Sequence, residues 1–82
     1  MTVTPKQITL GYIRELGPCT YRGILDEVKD QCAGCDNWKD WDLAPVLNEL
    51  LREDLIKLYD SCDAFVLTDK AYSEIYGVKV TP

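Results

Sequence analysis

The spacing of the apolar residues changes at Asp54, and no other feature restricts the possible folds as much. Ahead of it, apolar residues recur at i, i+3, i+4, i+7 and i+8, which is the spacing of one helix face. These residues are Leu43, Val46, Leu47, Leu50 and Leu51. Behind it, two apolar runs, 55–59 and 64–68, flank a polar turn, as in an antiparallel hairpin. Because a hairpin needs other elements to cover its apolar face, the switch predicts a mixed α+β domain and disfavours a generic helical bundle with a stray hairpin.

Capping signals predict a first helix over residues 5–16. The Thr4 hydroxyl can cap this helix while the Gln7 side chain reaches back, and Pro5 occupies the first helical position. Gly17-Pro18 then supplies a left-handed residue followed by one that cannot continue the helix.

A second helix is predicted to begin after Thr20, whose hydroxyl can cap it. Its apolar positions recur at helical spacing and are Ile24, Leu25, Val28 and Cys32. Gly34 is expected to end this helix. Residues 33–40 then form a polar connector, anchored by Trp38, that is longer than the turn of a minimal helix-turn-helix.

The apolar stripe becomes a third helix, expected to start near residues 41–43. Asp40 or Asp42 can cap this helix, and Pro45 is tolerated because backbone N–H groups in a first turn have no intrahelical partner. A fourth helix over 69–76 closes the core. Its apolar positions are Ala71, Tyr72, Ile75 and Tyr76.

One domain is expected over residues 4–77, with a short tail behind Gly77, because no repeat, low-complexity segment or linker interrupts the chain. A chain this short buries only about 60% of the surface that its unfolded form exposes. Help from a partner is therefore expected, and a homodimer is favoured. Three tyrosines can pair helices across such an interface, namely Tyr12, Tyr72 and Tyr76.

The net charge of −5, from 14 acidic and 9 basic residues, limits the possible functions. Nucleic-acid binders usually carry a clustered basic surface, so this balance argues against affinity for DNA that depends on phosphates alone. The chain has no histidine, which removes His-based acid-base catalysis and His-ligated metal. Because its carboxylates form no recognisable catalytic motif, we expect neither an enzyme nor a cofactor.

The chain has no apolar run of membrane-spanning length and no charged N-terminal segment followed by an apolar one. These absences predict a soluble, cytoplasmic protein without a membrane span. Cysteines in such proteins are reduced by default. The four are Cys19, Cys32, Cys35 and Cys62.

The Cys32-x-x-Cys35 spacing fits half of a zinc site or a redox pair. Cys19 cannot share a metal with Cys32, because the second helix separates them by about 18 Å. Redox activation is also unexpected, since the pair lies at the C-terminal end of a helix, where the helix dipole does not favour a thiolate. The simpler expectation places Cys32 in the core and Cys35 at the surface.

Three stretches carry a family resemblance. They are Leu16-Gly17-Pro18-Cys19-Thr20-Tyr21-Arg22-Gly23-Ile24, Val46-Leu47-Asn48-Glu49-Leu50-Leu51-Arg52-Glu53-Asp54-Leu55-Ile56 and Phe65-Val66-Leu67-Thr68-Asp69-Lys70. Their order and character resemble the winged helix-turn-helix transcriptional regulators, particularly the MarR-like and PadR-like groups. The resemblance implies a mostly helical α+β domain with a three-helix core, a two-stranded β wing and a short C-terminal helix.

The resemblance also implies a small regulator that binds double-stranded DNA, with its third helix in the major groove and its wing on the backbone. The outward face of that helix is expected to be Trp41, Pro45, Asn48, Glu49 and Arg52. On this face Asn48 can pair with adenine, and Arg52 with guanine or a phosphate. The expected phosphate contacts are Lys57 on the wing and Arg22, Lys29 and Lys39 beside the helix-turn-helix.

Acidic residues around the third helix point to an alternative. They are Asp36, Asp40, Asp42, Glu49 and Asp54, with Asp60 and Asp63 at the wing tip. Such carboxylates repel phosphates. The alternative is a winged-helix protein-interaction module, an acidic adaptor or virus-encoded modulator, that contacts a basic partner through Trp38, Trp41 and Glu49. One or both tryptophans can equally cover the hydrophobic core.

Overall fold

The computed structural model describes residues 4–32, 34–59 and 63–77, and of Tyr76 only the backbone. It shows a compact α+β domain. In chain order its elements are α1 (Pro5–Leu16), β1 (Cys19–Thr20), α2 (Tyr21–Gln31), α3 (Ala44–Arg52), β2 (Ile56–Leu58), β3 (Ala64–Leu67) and α4 (Asp69–Tyr76). The predicted tail, 78–82, lies outside the described residues.

The first and last helices have the predicted bounds, because local capping fixes them. The Gln7 backbone N–H donates to Thr4 Oγ1 at 3.2 Å, and the Thr4 N–H donates to Gln7 Oε1 at 3.0 Å, which completes the capping box. At α4 the Ala71 N–H donates to Thr68 Oγ1 at 3.2 Å. Gly77 ends α4 in the left-handed conformation.

The boundaries of the two central helices differ from the prediction. Thr20 caps α2 as expected, but the helix ends at Gln31, ahead of Gly34. The predicted aspartate cap of α3 is wrong, because Leu43 holds the capping position without a side-chain hydrogen bond. Asp42 instead accepts a hydrogen bond from the Lys39 backbone N–H at 2.6 Å, so this carboxylate stabilises the connector.

Asp54 itself makes the change from helix to strand. It has φ of 61°, a left-handed conformation that few residues other than glycine adopt. The Asp54 N–H donates to Leu51 and the Leu55 N–H to Leu50, which is the Schellman arrangement at a helix end. The Thr68 hydroxyl donates to the Asp54 carbonyl at 2.6 Å and ties this turn to the end of β3.

The sheet has three antiparallel strands in the order β1-β3-β2. The predicted hairpin is confirmed, with Ile56 opposite Leu67. The structure adds β1, in which Cys19 lies opposite Phe65. A strand of two residues is too short to show any alternation in sequence, so the expected two-stranded sheet was incomplete. Residues 60–62 of the predicted polar turn lie outside the described residues.

The core lies where α1, α2 and α3 meet the sheet and α4. Its largest fully buried side chains include Ile13, Ile24, Leu25, Leu43, Leu50 and Ile56. Two predicted core residues are corrected, since Leu51 is 38% exposed and Ile75 is also exposed. Leu51 lies about 80° around the helix from Leu43, at the margin of the apolar stripe.

Gly11 inside α1 and Gly17 just behind it lead to opposite predictions for substitution by alanine. Gly11 lies inside the helix, where an added Cβ would meet no described atom within 4 Å. We expect Gly11→Ala to raise the free energy of unfolding by about 0.5–1 kcal/mol, because alanine loses less backbone entropy. Gly17 has φ of 79° and ψ of −140°. We expect Gly17→Ala to lower the free energy of unfolding by about 1–3 kcal/mol.

Urea unfolding of both glycine variants and the natural chain measures these changes directly. Each variant serves as the control for the other, since both replace a glycine by alanine, one within α1 and one at its C-cap. A loss of stability in Gly11→Ala would show that the helix interior is less open than described.

Candidate nucleic-acid interface

The outward face of α3 is exposed as the sequence predicted. Pro45, Asn48, Glu49 and Arg52 are all exposed. Trp41, immediately ahead of the helix, is 71% exposed. Asn48 and Arg52 lie one helical turn apart on the same face. Among the described residues neither side chain makes a hydrogen bond or an ion pair, so both remain available to a ligand.

In the structure the connector between α2 and α3 extends further than predicted, over residues 32 and 34–43 of the described chain, and it determines where this face lies. It leaves the C-terminal end of α2 at Cys32 and returns to the first turn of α2, where Asp40 meets Tyr21 and Arg22. The Tyr21 hydroxyl donates to the Asp40 carbonyl. Arg22 Nη1 lies 2.9 Å from Asp40 Oδ1. The connector therefore runs back along α2 over about 15 Å and brings the start of α3 beside the start of α2.

A disulfide closes the beginning of the connector. It joins Cys32 and Cys35, whose Cα atoms are 5.3 Å apart. The expectation of reduced thiols is therefore wrong for this pair, and so is the expectation that Cys35 is exposed, because only 6% of it is accessible. The reason is the fold-back at Gly34, where φ is 91° and the chain turns Cys35 into the core.

The other two cysteines take no part in this bond. Cys19 is a buried free thiol that donates to the Gly17 carbonyl at 3.1 Å. Burial raises the pKa of the Cys19 thiol, which keeps it protonated. Cys62 lies outside the described residues.

A lysine that the sequence did not single out lies between the carboxylates of Glu49 on α3 and Glu53 at its C-cap. Lys6 Nζ is 2.9 Å from Glu53 and 3.4 Å from Glu49. The hydrogen bond to Glu53 is the largest cause of a raised pKa of Lys6. Because Glu53 is 47 residues away along the chain, no local pattern could have paired them. Lys6 offsets part of the negative charge beside Arg52.

The predicted phosphate-binding cations lie at separate places. Arg22 forms an ion pair with Asp40. Both side chains are exposed, so little free energy is lost when Arg22 leaves Asp40 for another anion. Lys39 is exposed on the connector, and Lys57 is exposed on β2. Lys29 is half-buried in the last turn of α2, about 10 Å from Arg22 along the helix axis. The structure therefore groups Arg22 with Lys39 on one side and leaves Lys29 apart.

The aromatic residues divide into core and surface. Trp38 is partly buried against the core, as are Tyr12 and Tyr72, so Trp41 is the exposed tryptophan. Burial is the largest cause of the raised pKa of Tyr21, whose hydroxyl holds the connector. The side chain of Tyr76 lies outside the described atoms.

Comparisons with known proteins give no further identification. No family model, curated protein or solved structure matches the chain. Within residues 4–32, 34–59 and 63–77, no group of three or more His, Cys, Asp or Glu side chains is placed to hold a metal ion. No helix in the described part of the chain combines the length and hydropathy that crossing a membrane requires.

Proposed function

We propose that this protein is a small winged-helix regulator that binds double-stranded DNA, with α3 in the major groove and the β2–β3 hairpin as the wing. The observation that carries the proposal is the exposed face of α3, where Asn48 and Arg52 have no partner among the described residues. The order of elements supports it, since three helices precede a hairpin that packs beside the third.

Each side chain has a defined chemical role in this proposal. The Asn48 amide matches the donor and acceptor edge of adenine, and the Arg52 guanidinium matches guanine or a phosphate. Lys57 contacts the backbone from β2, and Lys39 contacts it from the connector. Arg22 joins them by exchanging Asp40 for a phosphate, which the exposure of that ion pair allows.

The carboxylates beside this face oppose DNA and limit the affinity. Glu49 and Glu53 lie within one turn of Arg52, and Lys6 balances one of their two charges. With a net charge of −5, the protein needs localised contacts, because its overall field repels phosphates.

A second candidate function is favoured by the exposure of Trp41. A tryptophan that is 71% exposed beside a helix flanked by the carboxylates of Asp42 and Glu53 is a common anchor of protein interfaces. The corresponding function is a protein-interaction module in which Trp41 and Glu49 contact a basic partner. Trp38 is partly buried against the core, so Trp41 is the more exposed of the two tryptophans in this second proposal.

The first test is a titration of the protein into fluorescent random-sequence duplex DNA at about 50 mM and about 200 mM salt. We expect micromolar binding that weakens steeply with salt. Arg52→Ala and Lys57→Ala should each weaken binding about three- to tenfold and reduce the salt slope by about one. Arg14→Ala on α1 makes the same charge change and is the matched control.

The outcomes of this titration separate the two functions. Unchanged affinity in both Arg52→Ala and Lys57→Ala would contradict the proposed interface. An absence of binding at the lower salt concentration would favour the protein-interaction module.

A further inference from the structure

The connector is held to α2 at two places that differ in strength. At its start, the Cys32–Cys35 disulfide is a covalent tie. At its end, Asp40 is held by the Arg22 ion pair and the Tyr21 hydroxyl. The Arg22 side chain is exposed, and ion pairs of this kind contribute little to order. The disulfide is therefore the stronger of the two ties.

Short hydrogen-bonded turns connect the disulfide to the start of α3, so the position of one depends on the other. The Cys35 N–H donates to the Cys32 carbonyl at 3.1 Å, and the Trp38 N–H donates to the Cys35 carbonyl at 3.0 Å. The Asp42 N–H then donates to the Lys39 carbonyl at 3.0 Å, just before α3 begins. Because Cys35 is buried in the core, the sulfur–sulfur bond also anchors the first of these turns in the core.

We propose that Cys32 and Cys35 form a thiol–disulfide exchange site, and that its reduction by a low-molecular-weight dithiol releases the connector. Release loosens the placement of α3 without unfolding the domain. The effect on DNA binding rests on the proposed function, whereas the release of the connector does not.

The exchange reaction consumes one dithiol molecule for each protein disulfide that it reduces. A thiolate of the dithiol attacks Sγ of Cys32, the less buried of the two residues, and the Cys32–Cys35 bond breaks with the electron pair on Cys35. The second thiolate of the reagent then displaces Cys32 from the mixed disulfide. The reagent becomes a cyclic disulfide, and both protein thiolates take protons from water. Cys19 stays out of the exchange because it is buried.

The position of the pair favours the oxidised form. Cys32 caps the C-terminal end of α2, where the helix dipole is negative and does not stabilise a thiolate. We therefore expect the disulfide to resist dilute monothiols and to yield to a dithiol in excess.

The test compares amide hydrogen exchange of the whole chain before and after treatment with dithiothreitol. We expect the amides of Cys35, Trp38 and Asp42 to exchange at least about fivefold faster after reduction, while those of α1 stay unchanged. Both tryptophans of the chain belong to the connector, so their fluorescence provides a second readout. We expect stronger emission after reduction, because a nearby disulfide no longer quenches Trp38.

Two control variants make the test decisive. The Cys32→Ser/Cys35→Ser double variant should resemble the reduced chain and should not respond to dithiothreitol. Cys62→Ser removes the thiol that lies outside the described residues and should leave the response intact. Unchanged exchange at Cys35, Trp38 and Asp42 after complete reduction would overturn the proposal, as would a global loss of protection that includes α1.

The DNA readout separates this inference from the proposed function. If both hold, the oxidised chain binds duplex DNA about three- to tenfold more tightly than the reduced chain, because its connector is already ordered. If neither form binds DNA, the proposed function fails, and hydrogen exchange still decides whether the connector is released. Equal affinity in both forms, together with a released connector, would contradict the coupling to α3.

Discussion

Replacing Ile24 by alanine is expected to lower the free energy of unfolding by about 3–4 kcal/mol. Ile24 is completely buried on α2, in the core that α1 and α2 share. The change removes buried methyl and methylene groups and leaves a cavity that the packed helices cannot fill. A domain of this size has only about 4–12 kcal/mol of stability in total. We therefore expect the midpoint of thermal unfolding to fall by roughly 15–25 °C.

Leu16→Ala is the matched control for Ile24→Ala. Leu16 is also aliphatic and helical, but 62% of it is exposed at the end of α1. Its truncation should change the free energy of unfolding by no more than about 0.5 kcal/mol. Urea unfolding monitored by circular dichroism measures both variants. A cost below about 1 kcal/mol for Ile24→Ala would mean that α1 and α2 do not pack as described.

Replacing Glu49 by lysine is expected to strengthen binding to duplex DNA about tenfold at low salt. Glu49 is exposed on the α3 face that carries Asn48 and Arg52. The change adds two units of positive charge there and should make the salt slope steeper by about one to two. Lys6 keeps its 2.9 Å contact with Glu53, so the attachment of α1 to α3 survives.

Glu74→Lys on α4 makes the same charge change on an exposed helix outside the proposed interface, and it controls for net charge. A titration of both variants at two salt concentrations distinguishes a local effect from a general one. Equal increases in DNA affinity in both variants would contradict α3 as the site of contact. If the protein binds a basic partner instead, Glu49→Lys should weaken that complex.

Sequence reasoning located the elements whose signals are local. The capping box at Thr4 located α1, because that cap depends only on a residue three positions away. The apolar positions of 69–76 and Gly77 behind them located α4. The change of apolar spacing at Asp54 is also a local signal, and it located the hairpin. The exposed face of α3 also followed from spacing, since burial of Leu47 and Leu50 directs Asn48 and Arg52 outwards.

Features that depend on distant contacts were missed. The strand β1 forms only because β3 lies beside it. The ion pairs of Lys6 form only when α1 packs beside α3, so the sequence around Lys6 does not reveal them. The environment of Cys35 was predicted incorrectly because a polar connector gives no sign that it folds back at Gly34. The composition shows that the protein is acidic, but it does not show that Lys6 lies between Glu49 and Glu53.

The strand order leaves one side of β2 without a neighbouring strand in the described chain. Such an edge presents backbone groups on which another chain can add a strand, and Leu58 and Tyr59 make this edge partly apolar. Two properties limit self-association here, namely the three-residue length of β2 and the charge of Lys57. Lys57 is therefore a gatekeeper as well as a proposed phosphate contact. Removing it changes colloidal behaviour along with affinity, so light scattering belongs beside every titration of Lys57→Ala.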